Sequence, residues 1–359
     1  MQTISLLLLM LLAMGGGSSR GIGDADTATI TTFDASCAGT EAHEGTLALG
    51  INTVGDIAGT CLTTNAVTHG FIRVGTTITE FDVAGAGRGK NQGTVAISIN
   101  TAGTITGMYS DSSTAYHGFV RTKNGSITPF DAPNAGTAGH RGTIPLSINT
   151  GGTITGVVKD SNNVHHGFVR TTKGAIRTFN ASGAGTAATE GTSAFSINTA
   201  GYITGSFKDK NSLYHGFLRN PTTGALTEFT APGASKYSGT GFIKDVCCGG
   251  TYPLSIDASE NITGIYTDSK GVYHGFERAG STGKVTDFDV AGAGTLGTIP
   301  VSISRGVITG LYTDANGAGH GFVRDTKGSI TTFDVSGAGS RMLQGTVGGR
   351  YRRGLCGRK

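Results

Sequence analysis

Apolar and polar positions along this chain change places quickly. Short runs rich in Ile, Val, Thr, Phe and Tyr are cut by clusters of Gly, Asn, Asp and Ser, which reads as many short strands between tight turns. The stretch 143–180 resolves into four such runs, TIPLSIN, TITGVVKD, HGFVRT and AIRTFN, here named c, d, a and b. Glycine-containing turns of hairpin length separate c from d and a from b. The d-to-a link DSNNVH is also short, whereas the b-to-c link ASGAGTAATEGT is the longest. In strand d one face carries Thr153, Thr155, Val157 and Lys159, and the other Ile154, Gly156, Val158 and Asp160. A half-exposed sheet would alternate apolar with polar groups; here both faces are apolar or small, so the sheet is expected to be sandwiched between neighbours.

That four-run pattern recurs. The triplet HGF occurs with its histidine at His69, His117, His166, His215, His274 and His320, at spacings of 48, 49, 49, 59 and 46. An INxxGxITG-like element precedes it each time, and a GSITTFDVSGAG-like element follows. Three hairpins and one long step per unit predict an all-β fold, a β-propeller of six four-stranded blades of about 48 residues, with c innermost and b outermost. A β-solenoid competes, but its rungs are shorter and parallel. Closure stays open between two arrangements. The run ITTFDAS at 30–36 copies strand b ahead of the first complete unit, and Gln344-Gly345-Thr346 repeats Gln92-Gly93-Thr94 before the pattern stops after Val347. One arrangement is six blades with spare ends. The other is seven blades with one incomplete, its C-terminal part truncated or frameshifted.

Composition adds less than the pattern does. The chain has 359 residues, 61 of them Gly, no Trp and 14% charged residues; the glycines follow no three-residue period, and the spaced apolar residues argue against disorder. A formal charge of +4 comes from the end, since the last 19 residues hold Arg341, Arg350, Arg352, Arg353, Arg358 and Lys359 and no acid. The remaining body is slightly acidic, which speaks against nucleic acid as a partner. Ile4–Met14 is an apolar run too short to span a bilayer and suited to a signal-peptide core, followed by small residues at 15–19. The organisation expected is therefore a signal peptide at 1–19, a propeller at 24–347 and a basic tail at 348–359, with no membrane span after signal removal. The five cysteines make no zinc spacing, and Cys61 stands where other units carry Tyr109, Phe207, Tyr266 and Tyr312, so it reads as a small buried apolar group.

The pattern INxxGxITG, an Asp, then HGFxR resembles the extracellular HAF repeat family of bacterial surface proteins, named for a His-Ala-Phe triplet. Gly takes the middle position here, and Arg stands two residues after Phe, where that family often has an aromatic. The likeness covers about 24–347. It implies an exported bacterial repeat protein and brings no established activity or ligand.

Candidate chemistry is sparse. In five units an Asp precedes the HGF histidine by six residues, giving Asp111–His117, Asp160–His166, Asp209–His215, Asp268–His274 and Asp314–His320. Such a pair can meet across a hairpin, and its recurrence marks it as part of the blade rather than one active centre. Turns such as DSNN lack the alternating carboxylates of a calcium loop and suit turn geometry. No cofactor or metal site is expected. The glycines of strand d, Gly107 among them, mark a bulge or close backbone approach. Unit-specific residues say more. Glu44, Gln92, Arg141 and Glu190 each precede the Gly-Thr that opens strand c, which puts them at one rim of the central channel with His140 nearby. The fifth unit carries an insertion in its b-to-c link, where Tyr237, Phe242 and Lys244 are suited to stacking on and bonding a sugar. The leading expectation is a monomeric extracellular or cell-surface binding or scaffold module for polysaccharide or protein, without catalysis. The alternative is a carbohydrate- or lactone-active enzyme using Glu44, Glu190, Arg141 and His140, although two carboxylates three blades apart do not suit glycoside cleavage. A third reading is a degraded copy without a role.

Overall fold

The computed structural model describes residues 30–41, 44–235, 249–294 and 296–335. Among these residues there is no helix, and six four-stranded antiparallel units follow one another at 45–81, 93–130, 142–179, 191–229, 250–288 and 298–333. In the third unit strand c is Gly142–Ile148, d is Ile154–Lys159, a is His165–Arg170 and b is Ile176–Phe179, within one residue of the sequence expectation at each start. Strand c is the inner strand, because the c strands of successive units pack on each other; strand b lies outermost, with Arg177 and Thr178 exposed between half-buried Ile176 and Phe179. Strand d of the second unit is buried at every residue, as expected of a sheet covered on both faces. The arrangement is propeller-like.

Each unit has the same internal irregularity. The c–d ladder slips by one residue, between Ala96 and Ser98 in the second unit and between Pro253 and Ser255 in the fifth. Opposite the slip stands the repeated glycine of strand d. A Cβ on Gly107 would fall on the carbonyl oxygen of Val95, and one on Gly264 on that of Tyr252. Both expectations for these glycines hold together: a bulge in c presses its backbone onto d, where no side chain fits.

Neighbouring units lock through a second glycine. The glycine of HGF pairs across the sheet with the phenylalanine of strand b, as Gly167 does with Phe179, and the ring lies over the bare Cα. The next unit covers the outer side of that ring. Phe217 meets Phe179 edge-on at 6.0 Å between centroids, and the Arg219 guanidinium lies 4.9 Å from its centroid. Corresponding contacts join Phe81 to Phe119 and Arg121, Phe130 to Phe168 and Arg170, Phe229 to Phe276 and Arg278, and Phe288 to Phe322 and Arg324. The b-to-c links are pinned alike: the Ala181 amide donates to the Thr192 hydroxyl at 2.9 Å, and Val83 to Thr94 at 3.0 Å.

The two ends of the series differ from its middle. Residues 30–36 occupy the slot of a preceding strand b: Phe33 meets Phe71 edge-on at 6.1 Å, Arg73 covers it at 4.7 Å, and the Ala35 amide donates to Thr46 at 2.8 Å. A disulfide joins Cys37 to Cys61 and ties this segment to strand d of the first unit. Cys61 is buried as expected, and it is a bonded half-cystine rather than a free apolar filler. Ile51 of the first unit is 39% exposed, while its counterparts Ile99, Ile148 and Ile197 are nearly covered. Phe333, the last strand-b phenylalanine, is 42% exposed. Among the described residues no ladder joins the sixth unit to the first.

If the interlock holds the units, the same substitution should cost more inside the series than at its end. A Cβ on Gly167 comes within 2.6 Å of the Phe179 ring, which the next unit holds in place, whereas the Phe333 ring over Gly321 is 42% exposed and no following unit covers it among the described residues. Gly167→Ala is expected to cost about 1–3 kcal/mol and Gly321→Ala less than about 1 kcal/mol in denaturant unfolding. Equal losses would show that the following unit does not clamp the ring.

Candidate functional site

The HGF histidines are used up by the blade. Each Nδ1 bonds a residue at the end of strand b: Asp82 at 2.8 Å, Asp131 at 2.9 Å, Asn180 at 3.0 Å, Thr230 at 3.1 Å, Asp289 at 2.7 Å and Asp334 at 2.9 Å. The Asp expected from the sequence lies at the other nitrogen and farther away, with His117–Asp111 at 3.5 Å, His166–Asp160 at 3.3 Å, His215–Asp209 at 3.5 Å, His274–Asp268 at 3.6 Å and His320–Asp314 at 3.7 Å. Four of the rings also stack, on Tyr109, Phe207, Tyr266 and Tyr312, at 4.9–5.0 Å. The Asp has a prior duty. Asp160 Oδ1 accepts the Asn162 amide at 2.9 Å and the Val164 amide at 2.8 Å, closing the d-to-a turn. Partial burial works against ionisation of Asp160, Asp209 and Asp268, but the turn amides and the histidine outweigh it and hold these carboxyls below their usual range.

The rim residues serve as stitching. The carbonyls of Gln92, Arg141 and Glu190 accept the amides of Thr68, Tyr116 and His165, which ties the start of strand a of one unit to the start of strand c of the next. Their side chains are engaged within their own loops or by the neighbouring d-to-a turns. Gln92 accepts the Gly89 amide at 2.8 Å and donates to the Ser112 carbonyl at 3.2 Å, and Arg141 donates to the Ser161 carbonyl. Glu44 and Glu190 each accept a loop amide, of Glu41 and Ala187, at 2.9 Å. The two carboxylates stand on the first and fourth units and are not brought together. His140 takes a positive φ of 62° and bonds the Tyr116 hydroxyl at 3.0 Å; burial lowers its pKa. His165, at a position filled by Tyr116, Tyr214 and Tyr273 in other units, keeps some surface in solvent, yet the protein around it drives its pKa down to about 3. Tyr237, Phe242 and Lys244 of the insertion lie outside the described residues. Among the described residues no three His, Cys, Asp or Glu side chains are placed to hold a metal ion, and no helix is long and apolar enough to cross a membrane.

The opposite face, where the c–d and a–b turns lie, holds what the sequence reading missed. Here an asparagine ladder links the units: Nδ2 of Asn52 donates to the Asn100 carbonyl at 3.2 Å, Asn100 to Asn149 at 3.2 Å, Asn149 to Asn198 at 3.1 Å and Asn198 to Asp257 at 2.9 Å. At the fifth unit the ladder residue is Asp257, which has no amide to donate. Its Oδ2 instead accepts the Gly306 amide at 3.0 Å and the Asn261 amide at 3.1 Å. The sixth unit's c–d turn is one residue shorter, a two-residue hairpin at Arg305–Gly306 with φ of 51° and 77°. Beside it, the residue after HGF, apolar in every other unit (Ile72, Val120, Val169, Leu218, Val323), is Glu277. Glu277 Oε2 accepts from Arg324 at 2.9 Å. Glu277 and the Arg305–Gly306 turn line one inter-unit pocket of about 410 Å³, together with Ser259, Asn261 and Thr326 among others; Asp257 holds the turn from behind through the Gly306 amide. The signals were present in the sequence as HGFER and ISRGVITG, two breaks in an otherwise regular repeat.

No family model matches the sequence, and no curated protein matches it. Among solved structures, the chain is similar to TolB from Acinetobacter baumannii, with 12% identity and a TM-score of 0.47 over 77% of this chain and 63% of that one. A puromycin-hydrolysing peptidase of Mycobacterium tuberculosis gives 10% identity and 0.38 over 77% of this chain and half of that one. The lectin BP39L from Burkholderia pseudomallei gives 8% and 0.44 over 78% and 80%. The chain thus spans less than two thirds of the first two proteins, and at these TM-scores no property of any of the three is carried over to it.

The Asp–His network makes a pH prediction with a definite sign. A carboxyl held below its ordinary value of 3.8 stabilises the fold above that value, and the contribution is lost as pH falls through the lowered pKa. Melting temperature should therefore drop as pH falls below about 4. A triple variant Asp160→Asn, Asp209→Asn, Asp268→Asn, which keeps the turn-closing acceptors, should be less stable at neutral pH and lose less on acidification. Parallel curves for the two proteins would show that these carboxyls do not set acid stability.

Proposed function

We propose that the chain is an exported propeller-type binding module, working outside the cell or at its surface, with a polysaccharide or a surface protein as its partner. One observation carries this reading: the units are held by a constant set of contacts, while the residues that depart from the repeat gather on exposed ends and between units. The bonding groups of the repeat (the HGF histidines, the arginines over phenylalanine, the asparagine ladder) are committed to the scaffold. What remains free to vary is surface. On the loop face the proposed contacts are Glu44, Gln92, Arg141, Glu190 and His140, which hold the links a partner would meet. The Cys37–Cys61 disulfide supports export, because such bonds persist in oxidising compartments, and the apolar run at 4–14 is the proposed export signal. The ring is proposed to close through a seventh blade whose outer strand is 30–36. The filled Phe33 slot and the partly exposed Phe333 ring support this closure.

The full chain, incubated with a panel of insoluble and soluble polysaccharides, is expected to be retained selectively by one class and released by the same glycan in solution. Indiscriminate retention, or none on any glycan, would overturn the polysaccharide reading and leave a protein partner as the object of search.

A further inference from the structure

We infer that the pocket between the fifth and sixth units is a binding site for one unit of a neutral saccharide, with Glu277 and Arg305 as its polar contacts. The inference rests on the reading of the chain as a polysaccharide-binding module and adds to it a place and a ligand chemistry.

The pocket exists because the repeat is broken there three times. Asp257 replaces the ladder asparagine, the neighbouring turn is shortened to Arg305–Gly306, and Glu277 replaces an aliphatic residue. Two of the breaks are unfavourable for the scaffold alone. A half-buried carboxylate at 277 needs Arg324 to compensate it, and the arginine at 305 holds a left-handed φ that glycine takes more easily. The volume of about 410 Å³ lies within the range that small-ligand sites occupy.

Charge selects the ligand. The lining holds one carboxylate, Glu277, and one guanidinium, Arg305, so neither an anion nor a cation meets an excess of opposite charge there. The lining then offers a carboxylate acceptor, a guanidinium donor and the hydroxyls of Ser259 and Thr326, which both give and take. A group that must satisfy acceptors and donors side by side without net charge is a polyol. Sugar hydroxyls, each donor and acceptor at once, meet that requirement.

The experiment measures retention of the full-length chain on neutral glucan, mannan and galactan, on polygalacturonate and on chitosan. It compares wild type with Glu277→Val, Arg305→Gly and, as a remote charge control, Arg177→Ala. Val at 277 is what three other units carry, and Gly at 305 suits the turn, so both variants are expected to melt near the wild type; Arg305→Gly alone decides if Glu277→Val does not fold. The expected result is retention on a neutral polymer, weakened about tenfold or more by either pocket variant and unchanged by Arg177→Ala. Neutral retention unaffected by both pocket variants overturns the site and leaves the module reading standing. Retention on the acidic or basic polymer alone overturns the ligand chemistry. Retention on none overturns the site and the polysaccharide reading together.

Discussion

The structure depends on one joint: a phenylalanine of strand b laid on the glycine of its own HGF triplet and closed from outside by the next unit's Phe and Arg. The glycine is required because any side chain would meet the ring, at 2.6 Å in the third unit. Burying each ring contributes about 1.5–3 kcal/mol, with roughly another 0.5–1.5 kcal/mol from the edge-on contact and a comparable share from the cation above it. Only the part of this burial that comes from its own glycine is available to a unit by itself. The joint therefore makes stability a property of neighbours, and a series of such units folds cooperatively or not at all. The arginine pays in turn: burial lowers the pKa of Arg170, Arg219 and Arg278, and their Nε atoms have no hydrogen-bond partner.

The same joint explains the ends. Phe33 is carried by a segment with no c, d and a strands described before it, yet it finds the full set of partners on the first unit. Phe333 has the glycine beneath it and nothing described above it. Ile51 tells the same story on the inner strand. These positions are complementary, and they define what a closing blade would have to supply.

A scaffold that commits its own polar groups so fully leaves little chemistry to the repeat. In five units the HGF histidine sits between a residue at the end of strand b and a turn carboxylate, and in four units it also lies on an aromatic ring, so recurrence here signifies structure. Specific chemistry has to come from departures. The clearest run together at the fifth and sixth units, where a carboxylate and a shortened turn share one cleft and an acid in the ladder holds the turn.

Strand positions, hairpins, the order c, d, a, b and both sets of glycines were legible in the chain, because alternation and turn chemistry act over a few residues and the repeat shows each one six times. The Asp–His proximity was legible in part. The sequence spacing pointed to Asp160, whereas the closer partner of His166, Asn180, lies 14 residues away across strand b and is chosen by how that strand packs. Arg141 read as a rim contact, but its reach to the Ser161 carbonyl depends on how the b-to-c link folds back over the d-to-a turn. Cys61 read as a filler because its partner, Cys37, belongs to a segment whose docking only the first unit's free face determines. The pocket was hidden for the same reason. Glu277 and Arg305 are 28 residues apart in the sequence, on different units, and nothing local to either places them in one cleft. Sequence alone determined what each unit is; the angle and contact between units, set by packing of side chains far apart in the chain, decided what the units make together.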